Sequence, residues 1–147
     1  AMSGPSAMNK CPWLFCLIES EEKLIEIRKT SMFSKYEAPL AIIVCGDLSK
    51  ALPLEMKEYW VQDCSAATEN ILLAATDLGL GSVWCGVYPR KSPTEKLQKV
   101  LSLPKKIVPL NIIYIGYPDV DLESRDQYDE DLIQAFQYTY HHFQKLL

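Results

Sequence analysis

At 147 residues, with 48% hydrophobic and 23% charged side chains and six glycines, the chain has the composition of one ordinary globular domain. Fifteen Lys and Arg stand against nineteen Asp and Glu, a net charge of −4 with no long basic run, which argues against nucleic acid as a partner. The longest charge-free apolar stretch, residues 38–46, is about half of the ~20 residues that a membrane-spanning helix needs. No basic segment followed by an apolar one opens the sequence, so a cytoplasmic protein without membrane contact is expected.

In chain order, Gly4-Pro5-Ser6-Ala7-Met8-Asn9-Lys10-Cys11-Pro12 carries two prolines and several turn formers, which predicts an ordered loop feeding a strand at residues 13–18. Ser20 is placed to cap a short helix over 21–30, with Glu21 and Glu22 facing the positive end of its dipole. Residues 40–45 are apolar without alternation, the pattern of a strand covered on both faces. Residues 49–59 show no clean period and read as loop plus a short helix. The strongest periodic element runs over 62–78, with Asp63 or Ser65 near its start and Gly79 placed to end it in a left-handed conformation.

One face of that helix holds Ala67, Ile71, Ala74, Ala75 and Leu78, and a second face with Ala66, Asn70 and Leu73 is also mostly apolar. A helix buried nearly all round is hard to enclose in so small a domain, so a homodimer is expected to supply the missing wall. A strand at 82–88 follows. Ser92-Pro93-Thr94-Glu95 then combines a capping serine, a first-turn proline and a capping-box glutamate, and predicts a helix that exits before Pro104. A last strand is expected at 108–115. Leu132, Phe136, Tyr140, Phe143 and Leu147 recur at helical spacing and predict a long terminal helix. Four strands alternating with four helices give an α/β or α+β class.

Several chemistries find no support. The histidines are the adjacent pair His141 and His142, whose helical positions point about 100° apart and cannot converge on one substrate atom. The five cysteines, at 11, 16, 45, 64 and 85, contain no C-x-x-C pair and read as small buried hydrophobes, not as a disulfide framework or zinc site. Asp47, Asp63 and Asp77 are scattered, and Asp119, Asp121 and Glu123 lack the glycine and terminal glutamate of a calcium loop. Gly79-Leu80-Gly81-Ser82-Val83-Trp84 begins like a dinucleotide fingerprint but follows a helix and precedes a strand. If the chain is an enzyme, a cofactor should carry its chemistry.

Taken together and in order, these segments resemble the FMN-dependent nitroreductase family. The opening loop through Trp13 is similar to the family's Pro-Ser-x-x-Asn-x-x-Pro-Trp loop. The segment from Gln62 to Ala75, followed by Leu78-Gly79-Leu80-Gly81-Ser82-Val83-Trp84-Cys85-Gly86-Val87-Tyr88-Pro89, resembles the central dimerisation helix and the strand after it. Leu103-Pro104, Val108-Pro109 and Ile115-Gly116-Tyr117-Pro118 resemble the last internal strand. The resemblance implies a three-layer sandwich with a central, mostly antiparallel sheet, in an intertwined homodimer that holds FMN at its interface. It implies that Pro5, Ser6, Ala7, Met8 and Asn9 touch the flavin of the partner subunit, and that Trp84, Cys85 and Gly86 present backbone groups beside the ring. Gly86 is the natural point of close approach, because a residue without a Cβ lets the main chain near a flat cofactor. Trp84 either walls that pocket or serves as a core aromatic of its strand.

The activity implied is ping-pong electron transfer from NAD(P)H through FMN to a small-molecule acceptor such as a nitroaromatic or quinone. The alternatives are a flavin-binding or sequestering protein with little turnover, and another flavin reaction on the same scaffold, such as reductive dehalogenation or flavin breakdown. Family members usually begin earlier, with a helix and an Arg-Arg-Ser-x-Arg stretch that binds the FMN phosphate and ring. Residues 1–147 are therefore expected to be a single domain of this kind without that segment. Arg125-Asp126-Gln127-Tyr128-Asp129-Glu130 resembles the family's Lys-x-Arg-Tyr-Asp-Glu, with Arg125 at the lysine position beside the phosphate. Gln127 replaces an arginine there, a loss of about 1.5–3 kcal/mol if the missing contact is charge-assisted.

Overall fold

In a computed structural model, which describes residues 1–120 and 126–133, the unbroken apolar run at 40–45 lies inside a four-stranded sheet. Its strands are β1 (Trp13–Ile18), β2 (Leu40–Asp47), β3 (Gly81–Gly86) and β4 (Ile107–Gly116), in the order β1-β2-β4-β3 with every pair antiparallel. The fold is therefore α+β, and the parallel pairing of an α/β domain is absent among the described residues. The two central strands are apolar on both faces because both faces are covered. Ile43 and Ile112 face Leu24 and Ile27 of α1 (Glu21–Arg28) and Leu97 of α3 (Lys91–Val100). Val44 and Ile113 face the other way, onto Trp60, Cys64 and Ala67 of α2 (Tyr59–Asp77). Three layers result.

The helix ends show what local sequence decides. At the C-terminus of α2, Gly79 takes φ +70°, its N–H donates to Thr76 O at 3.0 Å and the Leu80 N–H donates to Ala75 O at 2.8 Å. This is the paired closure that a glycine at that place permits. The N-termini behave differently. α2 starts at Tyr59, three residues before the expected position, because Trp60 is driven into the core, edge-on to Tyr88 with ring centroids 4.9 Å apart. Asp63, expected near the start as a cap, instead lies inside the helix. α3 also begins early, at Lys91 behind Arg90, and no side chain caps it. Ser92 and Pro93 sit in its first turn, where a missing proline N–H removes no intrahelical bond, and Glu95 faces Lys91 at 4.0 Å. Ser20 occupies the N-cap of α1, yet its hydroxyl makes no capping bond.

Within one chain α2 is one-sided. Ala67, Thr68 and Ala75 are buried, whereas Ala74 and Leu78 are exposed and Leu73 is 60% exposed. The expected enclosure on nearly every side is not supplied by the chain's own fold. Glu130–Leu132 forms one 3-10 turn, and the rest of the amphipathic pattern, from Phe136 to Leu147, lies outside the described residues, as does the His141-His142 pair. No helix among the described residues is long and apolar enough to cross a membrane.

One irregularity in β4 lies next to the segment of interest. Val44 opposes Asn111 but Cys45 opposes Pro109, so Leu110 is the extra residue of a bulge. Its carbonyl accepts the N–H groups of Val87 and Tyr88 at 2.9 and 3.0 Å. The bulge also explains how Pro109, which has no N–H to give, fits inside a central strand. Beyond it the fully buried Asn111 donates from Nδ2 to Thr68 Oγ1 at 2.9 Å, Thr68 donates to Cys64 O at 2.8 Å, and Asn111 Oδ1 has no partner among the described residues. Removing the Thr68 hydroxyl would leave both ends of the Asn111 amide unsatisfied. Thr68→Val is expected to cost about 2 kcal/mol in urea unfolding, and adding Asn111→Leu to recover most of that loss.

Candidate functional site

The loop before β1 owes its shape to groups inside it and to one distant carboxylate. Ser6 Oγ accepts the N–H of Cys11 at 3.0 Å, and the Asn9 and Lys10 N–H groups donate to Ser6 O and Ala7 O at 3.0 and 3.1 Å. Asp63, buried on α2, accepts the Ala7 N–H at 2.8 Å. A Cβ on Gly4 would stand 3.3 Å from Asn70 Nδ2, so the loop lies directly on this helix. Met8, Asn9 and Cys11 have φ of 48°, 53° and 45°, a cluster of left-handed residues without a glycine. Such a conformation persists where its surroundings over-determine it, and it commonly marks a ligand-contacting segment. The outcome is a rigid projection with Pro5, Met8 and Asn9 exposed and Ser6 and Ala7 half-buried.

The second segment is the end of β3, an edge strand among the described residues, whose alternate N–H and C=O groups point away from β4. Trp84 is 38% exposed, Cys85 is buried toward the α1 and α3 layer, and Gly86 is exposed with nothing within 4 Å of the place where a Cβ would stand. Burial pushes the Cys85 thiol above its ordinary pKa, so it stays protonated at neutral pH and is not a nucleophile. The buried Cys64 is likewise pushed up to about 12 by desolvation and then by its neighbour Asp63. Arg90 closes the far side of the segment. Its Nη2 donates to Gly86 O at 2.7 Å and to Ser31 Oγ at 3.1 Å, and its guanidinium lies 5.2 Å from the centre of the Phe33 ring.

No hydrogen bond joins these two segments among the described residues. β1 and β3 are the opposite edges of the sheet, three strand spacings or about 14 Å apart. Trp84, Cys85 and Gly86 are grouped on one edge, Pro5 to Asn9 precede the other, and Arg125 lies outside the described residues. Gln127 is exposed. Asp63 and Arg90 were not among the expected site residues. For Asp63 a signal existed, since a carboxylate stands on the same helical face as Cys64 and Ala67. For Arg90 none existed, because both of its partners are set by tertiary structure.

Whether the residues present suit a flavin can be judged on Gly86. The space at its missing Cβ is open, so a planar ring can approach the main chain there and a larger residue would stand in its way. The donor set fits.

Residues 28–117 match the Nitroreductase family. A protein of Methanothermobacter thermautotrophicus, provisionally named NADH dehydrogenase/NAD(P)H nitroreductase, is 42% identical over 135 residues, covering 90% of this chain and 69% of its own length. A crystal structure of a protein with the same provisional name from Bacteroides thetaiotaomicron superposes with a TM-score of 0.85 at 40% identity, covering 93% of this chain and 79% of that one. An FMN-dependent nitroreductase of Clostridium difficile superposes with a TM-score of 0.80 at 28% identity, covering 92% of this chain and 82% of that one. The fold thus recurs in relatives that this chain matches over most of its length, and the chain belongs to the nitroreductase family.

Proposed function

We propose that the protein is a single-domain, FMN-dependent oxidoreductase that takes electrons from NAD(P)H and passes them to small acceptors such as nitroaromatics or quinones. Bound FMN would supply the two-electron chemistry, accepting hydride equivalents and delivering them onward. The chain's own residues bind and orient. Gly86 admits the ring to the main chain, Trp84 walls its edge, and the outward N–H groups of β3 offer donors to its polar rim. Pro5, Ser6, Ala7, Met8 and Asn9 would reach the flavin of the partner subunit, and Arg125 would meet its phosphate. Cys85 contributes backbone only.

The observation that carries this reading is the separation of the two segments on opposite sheet edges, because a second copy is the simplest source of the missing loop. The exposed Leu73 and Leu78 on α2 support an isologous partner. So does an apolar cavity of about 470 Å³ lined by Trp13, Leu14, Phe15, Leu17, Ile42 and Ile71. The test combines sizing, FMN titration and anaerobic addition of NADPH. A dimer that binds one FMN per chain, bleaches with NADPH and recovers its colour with a quinone is expected. A monomer that stays colourless in excess FMN, or a yellow protein that does not bleach, would overturn the proposal.

A further inference from the structure

The last turn of α1 and the loop that returns to β2 border an open surface cavity of about 490 Å³ that the flavin reading does not use. Ile25 and Met32 give it apolar walls, Arg28, Lys29 and Lys35 line it with positive charge, and Ser31 and Glu37 complete it. Three anchors hold its shape. The buried Ser34 hydroxyl meets Tyr114 Oη at 2.8 Å, Arg28 Nε donates to Tyr36 O at 3.0 Å, and Arg90 donates to Ser31 Oγ. Some positive charge at a helix C-terminus simply complements the dipole. That account covers Arg28 and Lys29 but not Lys35, which belongs to the loop. Arg28 also pairs with Glu21 at 3.4 Å, whereas neither Lys29 nor Lys35 takes part in an ion pair among the described residues.

Position adds the decisive element. One nitrogen of Arg90 touches both Gly86 O and Ser31 Oγ, so the wall of this basic cavity is a single guanidinium away from the proposed flavin segment. We infer that the cavity receives the phosphate-bearing half of the nicotinamide dinucleotide while the nicotinamide lies against the flavin, an inference that rests on the function proposed above. The apolar walls suit a nucleoside, and the lysines suit its phosphates. The charge could meet either the pyrophosphate common to NADH and NADPH or the 2′-phosphate that NADPH alone carries.

Two redox-inert fragments separate these sources. ADP-ribose carries the pyrophosphate alone, and 2′,5′-ADP carries the 2′-phosphate without a pyrophosphate. Calorimetric titration of the FMN-loaded protein is expected to show binding of at least one, weakened about tenfold in a variant with Lys29→Gln and Lys35→Gln, while FMN affinity is unchanged. Loss confined to 2′,5′-ADP assigns the cavity to the 2′-phosphate and predicts a preference for NADPH; loss confined to ADP-ribose assigns it to the pyrophosphate, and loss shared by both fragments assigns it to the adenosine 5′-phosphate that both carry and that forms half of the pyrophosphate. A variant that binds both fragments as tightly as the wild type, or a wild type that binds neither, overturns the inference. Failure of the underlying function looks different, because the wild-type flavin would then resist bleaching by NADPH whatever the fragments do.

Discussion

Gly86→Ala is expected to weaken flavin binding about tenfold or more while leaving the fold intact. A Cβ at this position meets nothing within 4 Å, and the residue does not use the left-handed backbone reserved for glycine. Alanine is therefore compatible with the folded chain and restricts the unfolded one, which predicts a stability equal to the wild type or higher by about 0.4–1 kcal/mol. The functional effect runs the other way. A methyl group in a face that a ring must approach at van der Waals distance displaces the ring from the donors of β3, and FMN affinity should fall about tenfold or more. Flavin fluorescence during titration measures the first quantity, and thermal unfolding of the apoprotein measures the second. A variant that binds FMN as tightly as the wild type would remove Gly86 from the site.

The contrast between the two classes of feature explains what the sequence could disclose. Strand β1 was legible to the residue, because Pro12 and the polar Glu19-Ser20 pair bracket an apolar run, and Gly79 was legible because its left-handed role depends on a helix end alone. The starts of α2 and α3 were not. Each is fixed by burial of a residue beyond it, Trp60 in one case and Thr94 with Leu97 in the other, and a capping pattern such as Ser92-Pro93-Thr94-Glu95 is overridden when tertiary packing favours an earlier entry. The candidate site divides the same way. Its two stretches were found by their likeness to a family, but the groups that hold them act over long separations. Asp63 reaches back 56 residues to Ala7, and Arg90 reaches back 59 to Ser31. No local period encodes such a contact. The exposed face of α2 follows the same rule, since an apolar helical face states that something must cover it and not which chain does so.

Gly46→Ala should have the opposite outcome to Gly86→Ala, although both glycines lie in strands with ordinary backbone angles. Gly46 sits on β2 between Trp13 and Val108, directly beneath Trp60. A Cβ there would fall inside the van der Waals envelope of Trp60 Cε3, with Cδ2 and Cζ3 each 2.9 Å away. The indole cannot swing aside, because it is buried, packs edge-on against Tyr88, and belongs to the cluster that joins α2 to Val44 and Ile113. Overpacking at a rigid site of this kind is expected to cost about 3 kcal/mol or more, a large share of the roughly 5–15 kcal/mol that holds a domain folded. The cause can be isolated by a double-mutant cycle. Trp60→Leu alone should destabilise by about 3 kcal/mol through lost packing, but it also vacates the space over residue 46. Adding Gly46→Ala to Trp60→Leu should then cost almost nothing in urea unfolding, a strongly non-additive result. If the alanine costs as much in that background as in the wild type, collision with the indole is not what requires glycine at this position.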